Sequence, residues 1–109
     1  MPRDYKVYLD DILEAASRIQ TYTSSLTREQ FSSDLKTLDA VVRNLEIIGE
    51  AVKKIPKEIQ TKYPSVEWKK IAGLRDILIH EYFGIDTEII WDVIKNKLPD
   101  LAIEIKKIL

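Results

Sequence analysis

The segment Arg75-Asp76-Ile77-Leu78-Ile79-His80-Glu81-Tyr82 collects residue types that handle phosphate. Arg75 offers a permanently charged planar fork matched to two phosphate oxygens, which suits it to stabilise the extra negative charge of a five-coordinate phosphorane. His80 is the only histidine in the chain. It stands four residues after Asp76, the spacing at which a helix brings two side chains together, so the carboxylate can accept the imidazole Nδ1 proton and leave Nε2 for proton transfer. Arginine, oriented histidine and phosphate together point to phosphodiester cleavage.

Helical geometry favours that grouping. At about 100° per residue, with Arg75 at 0°, Asp76 falls near 100° and His80 near 140°, while Leu74, Ile77 and Leu78 gather between about 200° and 300°. The polar trio therefore faces away from the apolar stripe. Glu81 would return to the apolar side, where an unpaired charge is costly, so the helix is expected to fray or turn just after His80. A lone histidine is often structural, and an Arg–Asp neighbour pair is often only a surface ion pair of little worth. Cleavage by attack of the RNA 2′-hydroxyl needs one group to take that proton and another to protonate the leaving 5′-oxygen. One chain supplies one imidazole, and a two-fold dimer supplies two, so the count predicts a shared site between two copies. No His/Asp/Glu spacing typical of a metal site and no glycine-rich phosphate loop is present, so metal-independent chemistry without a cofactor is expected.

The elements that would hold this segment read as helices throughout. Tyr5, Leu9, Ile12, Leu13, Ala16 and Ile19 recur at three- and four-residue steps over Asp4 to Gln20. Thr21 to Leu26 breaks the pattern, and Thr27-Arg28-Glu29-Gln30 has the form of a capping box. A long second helix is then predicted, with Phe31, Leu35, Leu38, Val42, Leu45, Gly49 and Val52 on its core face, stopped by Pro56. Gly49 inside it implies a close approach, either a helix crossing or a ligand. Pro56 to Tyr63 predicts a short helical turn. Ser65 is a candidate N-cap for a third helix from about Val66, with Trp68, Ile71, Leu74 and Leu78 inward. Asp86 or Thr87 caps a last helix through Ile89, Val93 and Ile94, continued or kinked at Pro99 through Leu101, Ile105 and Ile108. The expected fold is all-α, an up-and-down four-helix bundle in one domain over residues 1–109.

Composition bounds the alternatives. The chain has 109 residues, 45% hydrophobic and 32% charged, and no cysteine. That balance suits amphipathic helices, and it excludes disulfides and thiolate metal sites. Met1 to Asp10 lacks the pattern of a secretion leader, and no apolar run is long enough to span a membrane, so a cytoplasmic location is expected. The net charge of −1 is unfavourable for nucleic acid, but residues 53–75 hold seven Lys/Arg against two Asp/Glu. This basic stretch ends at Arg75, and Lys53, Lys69 and Lys70 within it are candidate substrate-binding residues, or part of a solvated surface.

Arg75-x4-His80-x-Tyr82 resembles the Arg-x4-6-His signature of HEPN-domain proteins, and more narrowly the HepT-like toxins of bacteria and archaea. The likeness extends through Asn44 to Ala51, Pro64 to Trp68, Gly73 to Asp76, Asp86, and Trp91 to Pro99, so it covers nearly the whole chain. The resemblance implies a dimeric helical endoribonuclease toxin, paired with a minimal nucleotidyltransferase antitoxin that transfers AMP to the motif tyrosine. Carried over by position, Arg75 and His80 would be catalytic, Asp76 the polar residue after the arginine and Tyr82 the modified residue. Many relatives have Asn where this chain has Asp76. Adding AMP at Tyr82 would place bulk and negative charge against the arginine. Two other readings stand beside this one. One is a non-catalytic partner that binds a nucleotide or docks a nucleotidyltransferase, and the other is a purely structural dimerising bundle.

Overall fold

Short polar caps decide where the first helices begin. Asp4 accepts the amide of Lys6 at 3.0 Å and opens α1, Tyr5–Thr23. Thr27 and Gln30 then form the predicted reciprocal capping box: the Gln30 amide donates to Thr27 Oγ1 at 3.1 Å, and the Thr27 amide donates to Gln30 Oε1 at 2.9 Å. The computed structural model describes residues 4–80 and 86–109, with side chains for 4–74 and 86–109. Among these residues every regular element is a helix. After α1 come α2 (Arg28–Ser33), α3 (Leu35–Lys53), α4 (Lys57–Lys62), α5 (Trp68–His80), α6 (Thr87–Asp92) and α7 (Leu98–Ile108), with a π-helical turn at Val93–Lys97 between the last two.

Several boundaries differ from the sequence reading, each for a local reason. α1 runs three residues beyond Gln20 because the Thr23 hydroxyl donates to the Ile19 carbonyl at 2.8 Å and is fully buried there. The long second helix is two helices. Asp34 interrupts it, accepting the Thr37 amide at 3.1 Å and the Thr37 hydroxyl at 2.7 Å, and so acts as a fresh N-cap. The break changes the register, which leaves Leu35 70% exposed rather than in the core. Ser65 does not cap α5. Its hydroxyl donates to Glu104 Oε2 at 2.8 Å, and α5 starts at Trp68, where the Glu67 carbonyl accepts the Ile71 amide at 3.0 Å.

At the other end Asp86 is the cap, accepting the Glu88 amide at 2.8 Å. Ile89, expected on the inward face, is 61% exposed, and its neighbour Ile90 is buried instead. Proline has no N–H and its ring clashes with the carbonyl four residues earlier. The chain meets Pro99 by widening the preceding turn, so that the Leu98 amide reaches the Val93 carbonyl five residues back.

α3 lies between α1 and α5, α7 closes against α1, and α2 packs on α6. Leu9, Ile12 and Ile19 of α1, Val41, Leu45, Ile48 and Val52 of α3, Phe31 of α2 and Ile105 of α7 are fully or almost fully buried. Each such side chain contributes roughly 1.5–3 kcal/mol of transfer free energy. Gly49 is buried on α3, as a packed helix crossing requires. No helix among the described residues is long and apolar enough to cross a membrane.

Candidate functional site

α5 is anchored at its beginning. The Trp68 indole is buried and its Nε1 donates to the Tyr63 carbonyl at 3.0 Å, which fixes the first turn against the loop that follows α4. Ile71 and Leu74 then line a groove of about 280 Å³ with Leu45 and Ile48 of α3 and Leu98 and Leu101 of α7. This anchoring directs the remainder of the helix, which runs unbroken to His80. Residues 75, 76 and 80 therefore sit on one continuous helix, and positions 76 and 80 share a face. The side chains of Arg75, Asp76 and His80 lie outside the described residues, as does Tyr82 altogether.

The lysines expected to bind substrate fare differently from one another. Lys69 is exposed and lines a groove of about 740 Å³ between α4 and the start of α5. Lys70 borders the same groove but holds the Glu67 carboxylate at 2.8 Å. That hydrogen-bonded pair lowers the Glu67 pKa and raises that of Lys70, so the charge of Lys70 is largely answered within the chain. Lys53 closes α3, engages a partner of its own and does not line this groove. Lys57, at the first position of α4 and in the basic stretch but not among those three, lines the same groove as Lys69. Its position in the basic stretch was the available signal; the groove shared by α4 and the start of α5 was not readable.

Two further features stand out on the neighbouring helices. Asn44 on α3 is buried, its Nδ2 donates to the Ala40 carbonyl at 2.9 Å, and its Oδ1 has no hydrogen-bond partner among the described residues. Trp91 of α6 lies between Phe31, with ring centroids 5.4 Å apart, and the Lys95 ammonium, 4.6 Å from its ring centroid. This stack ties α2 to the helix that follows the site.

Comparison with known proteins gives a consistent picture. A family model described as Ribonuclease HepT-like matches residues 12–108. A "Putative RNase" of Methanocaldococcus jannaschii is 50% identical over 110 residues, spanning 100% of this chain and 91% of that protein. A "Probable ribonuclease HepT" of Thermococcus cleftensis is 43% identical over 108 residues, 99% of this chain and 98% of the relative. A "Putative RNase" of Caldanaerobacter subterraneus is 46% identical over 102 residues, 94% of this chain and 91% of the relative. No solved structure matches. With a family match across most of its length and relatives that align from end to end, the chain belongs to the HepT-like ribonuclease family.

Proposed function

We propose that the chain is a metal-independent endoribonuclease whose active site is built by two copies of α5 across a two-fold axis, in a single-domain helical bundle of the cytoplasm. The observation that carries this reading is the unbroken course of α5 to His80, which puts Arg75, Asp76 and His80 on one helix in a chain of a ribonuclease family. In this reading one His80 takes the proton from the RNA 2′-hydroxyl as the 2′-oxygen bonds to phosphorus. The bond from phosphorus to the 5′-oxygen breaks, and the second His80, charged, gives its proton to that oxygen. Arg75 stabilises the phosphorane, and Asp76 orients the imidazole. The products are a 2′,3′-cyclic phosphate and a 5′-hydroxyl.

Tyr82 is the control point. AMP transferred from ATP to its phenol oxygen by a minimal nucleotidyltransferase antitoxin, with pyrophosphate leaving, adds a negative charge two residues from His80 and silences the toxin. A co-expressed nucleotidyltransferase should raise the intact mass by AMP units in the parent and not in Tyr82→Phe. The net charge of −1 favours a second reading, a non-catalytic partner that binds a nucleotide or docks the nucleotidyltransferase. Subunit mixing decides for the shared site: co-refolding with excess His80→Ala chain should suppress parent activity, because a mixed dimer holds one imidazole. Activity that simply follows the amount of parent chain would count against it.

A further inference from the structure

The groove between α4 and the start of α5 has an unbalanced charge. Lys57 stands on the α4 side and Lys69 on the α5 side, both exposed. Neither ammonium has a partner among the described residues, whereas Glu67 is taken by Lys70 at 2.8 Å. What remains is a pair of exposed cations, without a carboxylate partner among the described residues, on the lining of one open groove, the electrostatic footprint of a site for a polyanion backbone.

α5 carries that channel toward the proposed cleavage position. Positions 69, 73, 76 and 80 recur at steps of four, three and four, so they fall on one side of the helix. Gly73 lies between Lys69 and His80 on this side, and a Cβ added there would meet nothing among the described residues within 4 Å. Glycine is a poor helix residue, and here no neighbour crowds the place where its side chain would be. Clearance for something outside the chain is a physical reason for it. From position 69 to position 80 is about 16 Å along the helix at 1.5 Å per residue. A stacked strand rising about 3.4 Å per nucleotide covers that distance in roughly five nucleotides.

We infer that this side of α5 is the track of a single-stranded RNA: the strand passes from the cleavage position over Gly73, and a phosphate several nucleotides away is held between Lys57 and Lys69. The inference rests on the ribonuclease reading for the position of cleavage, but the binding groove itself does not depend on catalysis. Lys57 joins Lys69 in this role, and the inference does not call on Lys53 or Lys70.

The test is fluorescence anisotropy of a labelled single-stranded RNA of about ten nucleotides, titrated with the full chain carrying His80→Ala, at a series of salt concentrations. Adding Lys57→Gln and Lys69→Gln should weaken binding about tenfold at low salt and flatten the log–log salt dependence by about 1.4, the value for two lost single-strand phosphate contacts. Gly73→Leu should weaken binding several-fold without changing that slope, and Lys106→Gln on α7 should change neither. Thermal melts of each variant check that the fold is kept. Unchanged affinity and slope in the double lysine variant would overturn the proposal, as would no RNA binding by the parent or equal competition by a duplex of the same sequence. The two readings fail separately. RNA cleavage by the His80→Ala chain would remove the catalytic assignment and leave the groove standing, while lysine-independent binding with His80-dependent cleavage would do the opposite.

Discussion

The Ser65 hydroxyl donates to Glu104 Oε2 at 2.8 Å, and Lys107 holds the other oxygen of the same carboxylate at 3.3 Å. Together, with the Ser65 bond the larger effect, they hold the Glu104 carboxyl below its ordinary range. Because the folded pKa is the lower one, the contribution to stability is complete above the unfolded pKa and is lost as pH falls through the folded value. Ser65→Ala should move the Glu104 titration upward, read by NMR of the side-chain carboxyl, and slightly lower the melting temperature at neutral pH. An unmoved titration would show that the loop before α5 is not tied to α7 through this bond.

Phe31 is fully buried and its ring centroid lies 5.4 Å from that of Trp91. Phe31→Ala removes the contact that joins α2 to α6 and leaves a cavity, with an expected loss of about 3–5 kcal/mol in denaturant unfolding. Trp91 fluorescence should change in the folded state of the variant, since the aromatic ring packed against it is gone.

Asp34 separates α2 from α3, and its carboxyl is held below the ordinary aspartate range, first by the Thr37 hydroxyl and then by the Thr37 amide. Its folded pKa is therefore lower than its unfolded pKa, and the cap stabilises the fold above the unfolded value and fades as pH falls through the folded one. Asp34→Ala should lower the melting temperature at about pH 7 and approach the parent at about pH 2. A gap that stays constant over this range would assign the loss to something other than the ionised cap.

Much of this was legible in the sequence because it is set by local chemistry. The capping box at Thr27 and Gln30, the cap at Asp86, the short helix between Pro56 and Tyr63 and the inward face of α1 all follow from residue type and spacing. What was not legible depends on distant partners. Ser65 has the right identity for an N-cap, but Glu104, 39 residues away, takes its hydroxyl. Asp34 interrupts a heptad-like stripe that continues on both sides of it, so periodicity alone runs through the break and places Leu35 inside. Ile89 and Ile90 are equally apolar neighbours, and packing alone decides which is buried. At the site, the spacing of Arg75, Asp76 and His80 on a helix agrees with the course of α5, whereas the groove that Lys57 and Lys69 share needs the turn between α4 and α5.

Gly73 separates folding from function. A Cβ there meets nothing among the described residues within 4 Å, so Gly73→Ala should stabilise the chain by about 0.5–1 kcal/mol through helix propensity alone. Denaturant unfolding reads this directly. A destabilised Gly73→Ala chain would mean that the glycine serves packing within the fold and not access to it.

The most direct test of the ribonuclease reading is cleavage of a labelled RNA by the purified parent chain and by His80→Ala, both with a metal chelator present and both checked by thermal melting. The account predicts that the parent cuts the RNA and leaves a 2′,3′-cyclic phosphate, and that His80→Ala, equally folded, is slower by about 10²-fold or more, the usual worth of a general acid or base. Equal cleavage by the two chains would contradict it.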